Sequence, residues 1–168
     1  MGVRLPPGVP EQEKGPYLTE HEQWMSLALR EAEQAYAEEE VPVGAVIVSE
    51  GRVIGRGHNQ IERLKDPTAH AEMIAISAAA DALLSRRLEN CSLYVTLEPC
   101  SMCAGAIVLA RIKHLFIGAM DLKTGACGSL MNIVQDNRLN HRVEMTQGLL
   151  AGESSRLLKA FFQKLRDG

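Results

Sequence analysis

No stretch of this sequence is apolar over the roughly eighteen residues that a membrane-crossing helix requires, so a helical membrane span is not expected. Met1 to Pro16 is rich in proline and glycine but lacks the apolar run of a secretory signal. Pro6 stands where a myristoylation motif starting at Gly2 would need Ser or Thr. Positive charge is not in excess: 18 Lys and Arg face 21 Asp and Glu, a formal net charge of -3. That argues against a tight, non-specific nucleic-acid binder, although a local basic face is enough to contact a few phosphates. Cysteine is scarce, at 4 residues (Cys91, Cys100, Cys103 and Cys127), and in a reducing compartment these form no disulfide framework. There is no internal repeat and no low-complexity tract. The chain therefore reads as soluble and cytoplasmic, with no membrane partner expected, and its 168 residues suffice to bury a core.

Residues 1–16 read as a flexible arm and residues 17–168 as a single domain. Thr19 and Glu22 form a candidate capping box. Behind it Trp24, Met25, Ala28, Ala32, Ala35 and Tyr36 recur at helical spacing, up to the Glu38-Glu39-Glu40 run, which reads as a solvated helix end. Strands are expected over 43–49 and 52–57, joined as a hairpin by Glu50-Gly51, then over 92–97, 114–118 and 143–145. Helices are expected over 70–84, where alanine is abundant, and over 100–110 and 149–165. Loops fill 59–67 and the glycine-bearing 123–129. Helices alternating with strands predict an α/β fold: a three-layer α/β/α sandwich around a mixed five-stranded sheet.

The chemistry concentrates in His70-Ala71-Glu72 and Pro99-Cys100-Ser101-Met102-Cys103. Zinc favours imidazole and thiolate, and His70, Cys100 and Cys103 supply three such ligands. A structural zinc normally takes a fourth protein ligand. Cys91 and Cys127 do not have ligand spacing to the other three, so the fourth position is read as open to water, as in a catalytic site. His70 and Cys100 both fall at expected helix starts, where the backbone favours negative charge and hence thiolate. Glu72, two residues after His70, is expected to act as acid and base. It would carry the attacking water's proton to the ring nitrogen and the leaving amine of a substrate. Taken alone, Cys100 and Cys103 would also suit a redox pair or half of a zinc ribbon, but a second C-x-x-C is absent. The joint pattern matches the H-x-E…P-C-x-x-C signature of zinc deaminases.

From about Thr19 to Leu165 the chain resembles the bacterial tRNA-specific adenosine deaminases of the cytidine-deaminase-like superfamily. The resemblance rests on Val41-Pro42-Val43-Gly44-Ala45, Asp66 to Glu72 and Leu93 to Cys100. It extends through Lys123-Thr124-Gly125-Ala126, Gly128-Ser129-Leu130-Met131 and Asn140 to Glu144. It implies a cytidine-deaminase-like fold, one Zn2+ per subunit on His70, Cys100 and Cys103, and Glu72 as the catalytic acid/base. It also implies a homodimer acting on the wobble adenosine of a tRNA anticodon stem-loop and making inosine. By the same resemblance Asn59 would hydrogen-bond the flipped nucleoside and Ala71 would present a backbone group to the base. Asp121 would approach the ribose. One ring of the Phe161-Phe162 pair would stack on an anticodon base while the other packs inward, with Arg156, Lys159, Lys164 and Arg166 as a local basic face. The chain departs from its relatives at Gln60, Ile61 and Met120, which removes possible phosphate ligands.

Two other readings share these residues. One is a deaminase of a free nucleobase or nucleoside, of guanine or cytosine type, with the same metal site and different pocket walls. The other is a non-catalytic, zinc-stabilised RNA-binding module, against which Glu72 speaks, since a structural site has no use for an acid/base there.

Overall fold

The computed structural model describes residues 18–168, so the expected arm over 1–16 lies outside the described residues. Five strands, β1 (Gly44–Ser49), β2 (Arg52–His58), β3 (Ser92–Leu97), β4 (His114–Ala119) and β5 (Glu144–Thr146), form one sheet in the order β2-β1-β3-β4-β5. The β1–β2 hairpin is antiparallel, with a register irregularity between Ile47 and Val48. β1 and β3 are antiparallel, while β3–β4 and β4–β5 are parallel, so the sheet is mixed as expected.

Alternation along the strands sorts side chains onto two faces. Ala45, Ile47, Leu93, Val95, Leu115 and Ile117 join one buried cluster with α3 (Ala71–Leu83) and α4 (Ser101–Leu109). Val46, Val48, Tyr94 and Phe116 face the other way, onto α1 (Glu20–Ala37), with α5 (Ala151–Asp167) beside it on β4. Three layers result, the cytidine-deaminase-like architecture.

α1 starts where its sequence signals it. Thr19 Oγ1 accepts the Glu22 N–H at 3.1 Å, and Glu22 Oε1 accepts the Thr19 N–H at 3.0 Å. The end of α1 differs from expectation. Glu40 is buried, and its carboxylate accepts the N–H groups of Glu62 and Arg63 at 3.0 and 2.8 Å. Those two residues belong to a short helix, α2 (Ile61–Leu64), in the segment read as loop. Gln60 and Ile61 therefore open a helix, and Met120 packs against the core.

The placement of α3 depends on small residues. Ala71, Ala75 and Ala79 recur at helical spacing and are fully buried against β2, where Gly55 and Gly57 carry no side chain. A Cβ on Gly57 would overlap the carbonyl oxygen of Ala71. This close approach brings the start of α3 against the end of β2, so His70 and Glu72 lie beside Asn59.

Candidate active site

His70 is the N-cap of α3 and Cys100 the N-cap of α4, and neither side chain caps its own helix. Both are thus free to face a common point. His70 Nδ1 lies 3.7 Å from Cys100 Sγ and 3.6 Å from Cys103 Sγ. The three donor atoms lie within 4.8 Å of one another, a grouping that can hold a metal ion. Imidazole with two thiols fits a borderline-soft divalent metal. Cys91 and Cys127 are fully buried outside this group, consistent with small-residue packing.

The thiols differ in acidity. Cys100 is brought down to about 5, first by the hydrogen bond from the Cys103 thiol, with the backbone N–H groups of Cys103 and Met102 at the helix start helping. Cys103, buried and donating to its neighbour, is held well above the ordinary thiol range. A bound divalent cation would reverse that second effect, because metal ligation deprotonates a coordinating thiol.

Glu72 is buried on the first turn of α3, and burial pushes its carboxyl up to about 7 despite the opposing helix-start N–H and His70. A bound divalent cation would offset part of that rise, and a carboxyl placed beside the donor group is positioned to accept and return a proton. With His70, Cys100 and Asn59 it lines a pocket of about 140 Å³ whose remaining walls include Val41, Val43, Leu97, Glu98, Asp121 and Thr124.

Asn59 is buried, and its Oδ1 accepts the Ala71 N–H at 2.9 Å. Asn59 and Ala71 are therefore brought together, but the Ala71 N–H is already used. Asp121 reaches the pocket, yet its carboxylate is engaged within its own turn. Oδ1 accepts the N–H groups of Lys123 and Thr124 at 3.0 and 3.2 Å, and Oδ2 accepts the Thr124 hydroxyl at 2.7 Å. Phe161 and Phe162 lie outside this pocket. Phe161 is buried edge-on against Tyr36, whereas Phe162 is 42% exposed. Phe162 lines a separate cleft of about 530 Å³ with Lys123, Leu158, Lys159, Leu165 and Arg166. Arg156 pairs instead with Glu153 at 3.4 Å, and Lys164 sits over the Tyr36 ring.

Glu98 was not among the residues singled out from sequence. It is 3% exposed and carries a carboxylate that accepts from the N–H groups of Asp121, Cys127 and Ser129 and from the Ser129 hydroxyl. Burial alone would raise its pKa, but these donors hold it below the usual carboxylate range. Desolvating a carboxylate costs several kcal/mol, and four charge-assisted hydrogen bonds offset that cost. The sequence signal was only its position, directly before Pro99-Cys100.

The three-layer sandwich, with His70, Cys100 and Cys103 grouped where they could bind a metal ion and Glu72 buried beside them, agrees with the deaminases of the cytidine-deaminase-like class, and similarity to known proteins places the chain there. The chain matches the MafB19-like deaminase family over residues 19–166. It is 51% identical over 146 residues to a tRNA-specific adenosine deaminase of Aquifex aeolicus, covering 87% of this chain and 96% of that one. It is 48% identical over 149 residues to that of Bacillus subtilis, covering 89% and 92%. A solved tRNA:A34 deaminase, described for A-to-I editing at the wobble position of transfer RNA, superposes with a TM-score of 0.78 at 46% identity, over 81% of this chain and 99% of that one. A guanine deaminase from Nitrosomonas europaea, at 24% identity and a TM-score of 0.75 over 86% of this chain and 85% of that one, shares the fold. The chain belongs to the tRNA-specific adenosine deaminase family.

Proposed function

We propose that this chain is a zinc-dependent hydrolase that converts the wobble adenosine of a tRNA anticodon to inosine, releasing ammonia. The observation that carries the reading is the donor group of His70, Cys100 and Cys103, of which His70 and Cys100 line one pocket with Glu72, in a chain of this family. His70 Nδ1 and the thiolates of Cys100 and Cys103 would hold one zinc per subunit. Zinc bound there supplies Lewis acidity that lowers the pKa of water toward neutrality. Glu72 would take one proton from the attacking water and give it to the ring nitrogen, then take the remaining hydroxyl proton as the carbonyl forms and give it to the amine, which leaves as ammonia. Asn59 orients the base, its amide set by the Ala71 N–H. A wobble adenosine lies in a single-stranded loop, so splaying it into the pocket costs little compared with opening a duplex.

Phe162 and the cations Lys123, Lys159 and Arg166 form the local basic face on which neighbouring anticodon nucleotides stack and pair. Asp121 borders the ribose side of the pocket. We further propose a cytoplasmic homodimer, after the family. The test is to offer the protein an anticodon stem-loop with wobble adenosine and, separately, free adenosine, guanine and cytidine, and to weigh the products. Inosine in the stem-loop with the free compounds untouched is the expected result. Turnover of a free compound alone would instead identify a nucleobase or nucleoside deaminase.

A further inference from the structure

The segment from Asp121 to Ser129, which supplies Asp121 and Thr124 to the pocket wall, is built of turns and depends on its anchors for its shape. Its principal anchor is Glu98. The backbone of Glu98 is held by the sheet, its N–H donating to the Ala119 carbonyl at 2.8 Å. From there the carboxylate gathers the wall at three points. Oε1 accepts the Asp121 N–H at 2.9 Å and the Ser129 hydroxyl, and Oε2 accepts the N–H groups of Cys127 and Ser129, both at 3.0 Å. Next to it, the Pro99 carbonyl accepts the Ala126 N–H at 2.8 Å. Gly125 lies so close that a Cβ there would overlap the Glu98 carboxylate.

Among the described residues Glu98 makes no ion pair. Its charge is balanced by converging N–H and O–H groups, an arrangement that tolerates little displacement of any of them. None of these bonds reaches His70, Glu72, Cys100 or Cys103. The residues they fix are the segment that brings Asp121 and Thr124 to the pocket.

We infer that Glu98 is the positioning residue of the substrate pocket. It locks the Asp121–Ser129 wall to the strand end that leads into Cys100, and so sets substrate affinity separately from metal binding and proton transfer. This rests on the reading that the pocket receives a nucleoside. An isosteric amide at position 98 keeps two acceptor lone pairs but turns an NH2 group toward N–H groups that need an acceptor, so the wall must shift.

The experiment compares metal-loaded wild type, Glu98→Gln and Ser129→Ala on the wobble-adenosine stem-loop, with metal per chain and melting temperature measured alongside. Glu98→Gln should raise KM by about tenfold or more, the scale on which a misplaced binding group acts. Its kcat should stay within about threefold of wild type, because proton transfer by Glu72 is untouched. Its metal content should equal that of wild type. Ser129→Ala removes one donor and leaves the charge, and should raise KM by less than Glu98→Gln does, with a lowered melting temperature and unchanged metal content. An unchanged KM, a loss confined to kcat, or loss of metal in Glu98→Gln would overturn the inference. Should Glu98→Gln fail to fold, Ser129→Ala decides: a raised KM supports the anchor and an unchanged KM overturns it. Wild-type turnover of a free nucleoside but not of the stem-loop would remove the tRNA reading. The same KM comparison on that nucleoside would still judge Glu98.

Discussion

Asn59 Oδ1 accepts the backbone N–H of Ala71 at 2.9 Å, which ties the chain after β2 to the first residue of the helix that follows His70 and bears Glu72. One amide thereby satisfies an otherwise orphan N–H at a helix start and fixes its own orientation in the pocket. These two roles separate by substitution. Asn59→Ala removes both and should cost about 1 kcal/mol of stability, as loss of a helix-start acceptor does, together with most activity. Asn59→Asp keeps the acceptor toward Ala71 but has no Nδ2 donor for the base. Burial of the new carboxylate should lower the variant's melting temperature, and kcat/KM measured well below that transition should fall by about tenfold to a hundredfold, the penalty for a pocket hydrogen bond left unmade. Equal activity in Asn59→Asp and wild type would show that Asn59 serves the helix alone.

Glu72 offers a second separation. Glu72→Gln preserves shape and leaves His70, Cys100 and Cys103 in place, so metal per chain should be unchanged. Removing a general acid/base should lower kcat by about 100-fold or more. A Glu72→Gln protein with wild-type kcat would show that a group other than Glu72 moves the proton. Removing the metal with a chelator should abolish activity and lower the melting temperature, because ligands that bind only the folded state stabilise it. Added zinc should restore both. Cys91→Ala, outside the cluster, should keep its metal.

The donor group that could hold a metal was legible in the sequence because it is local: His70 with Glu72, and Cys100 with Cys103, sit at fixed spacing on helix starts, and the strand between them sets the two helices side by side. Periodicity likewise exposed the five strands and the four long helices. What stayed hidden was long-range. Glu40 belongs to a run of three glutamates and reads as solvent-exposed, because nothing local shows that Glu62 and Arg63 will bring their N–H groups to it. Glu98 reads as one more charged residue before a turn, yet its partners lie 23 to 31 positions away. Buried carboxylates satisfied by backbone donors leave no sequence period. α2 was missed for its shortness: a helix of 4 residues carries too little pattern to rise above a loop.

Gly57 links the fold to the site. Because a Cβ there would overlap the Ala71 carbonyl oxygen, Gly57→Ala must push α3 away from β2. Overpacking of this kind typically costs about 1–3 kcal/mol. The displaced helix start carries His70 and Glu72 with it, so activity should fall further than the drop in melting temperature alone explains. The check is to measure kcat/KM well below the melting transition. Full activity of folded Gly57→Ala under those conditions would mean that the pocket tolerates movement of α3.

The adjacent phenylalanines of α5 should respond oppositely to truncation. Phe161 is 6% exposed and packs edge-on against Tyr36. Emptying that space in Phe161→Ala should cost about 3 kcal/mol of stability, as large-to-small core changes do. Phe162 is 42% exposed in the cleft with Lys123, Lys159 and Arg166, so Phe162→Ala should leave stability within about 0.5 kcal/mol. If an anticodon base stacks on its ring, stem-loop binding should weaken by about 1–3 kcal/mol, roughly tenfold or more in Kd. Replacing Lys159 or Arg166 with Ala should also weaken binding. For each phosphate deprived of its cation, the slope of log affinity against log salt should become shallower by about one unit. A stem-loop affinity indifferent to Phe162, Lys159 and Arg166 would move the RNA path off α5. Altered salt slopes with an unaltered Phe162→Ala affinity would keep the path but make its grip electrostatic, with no stacked base.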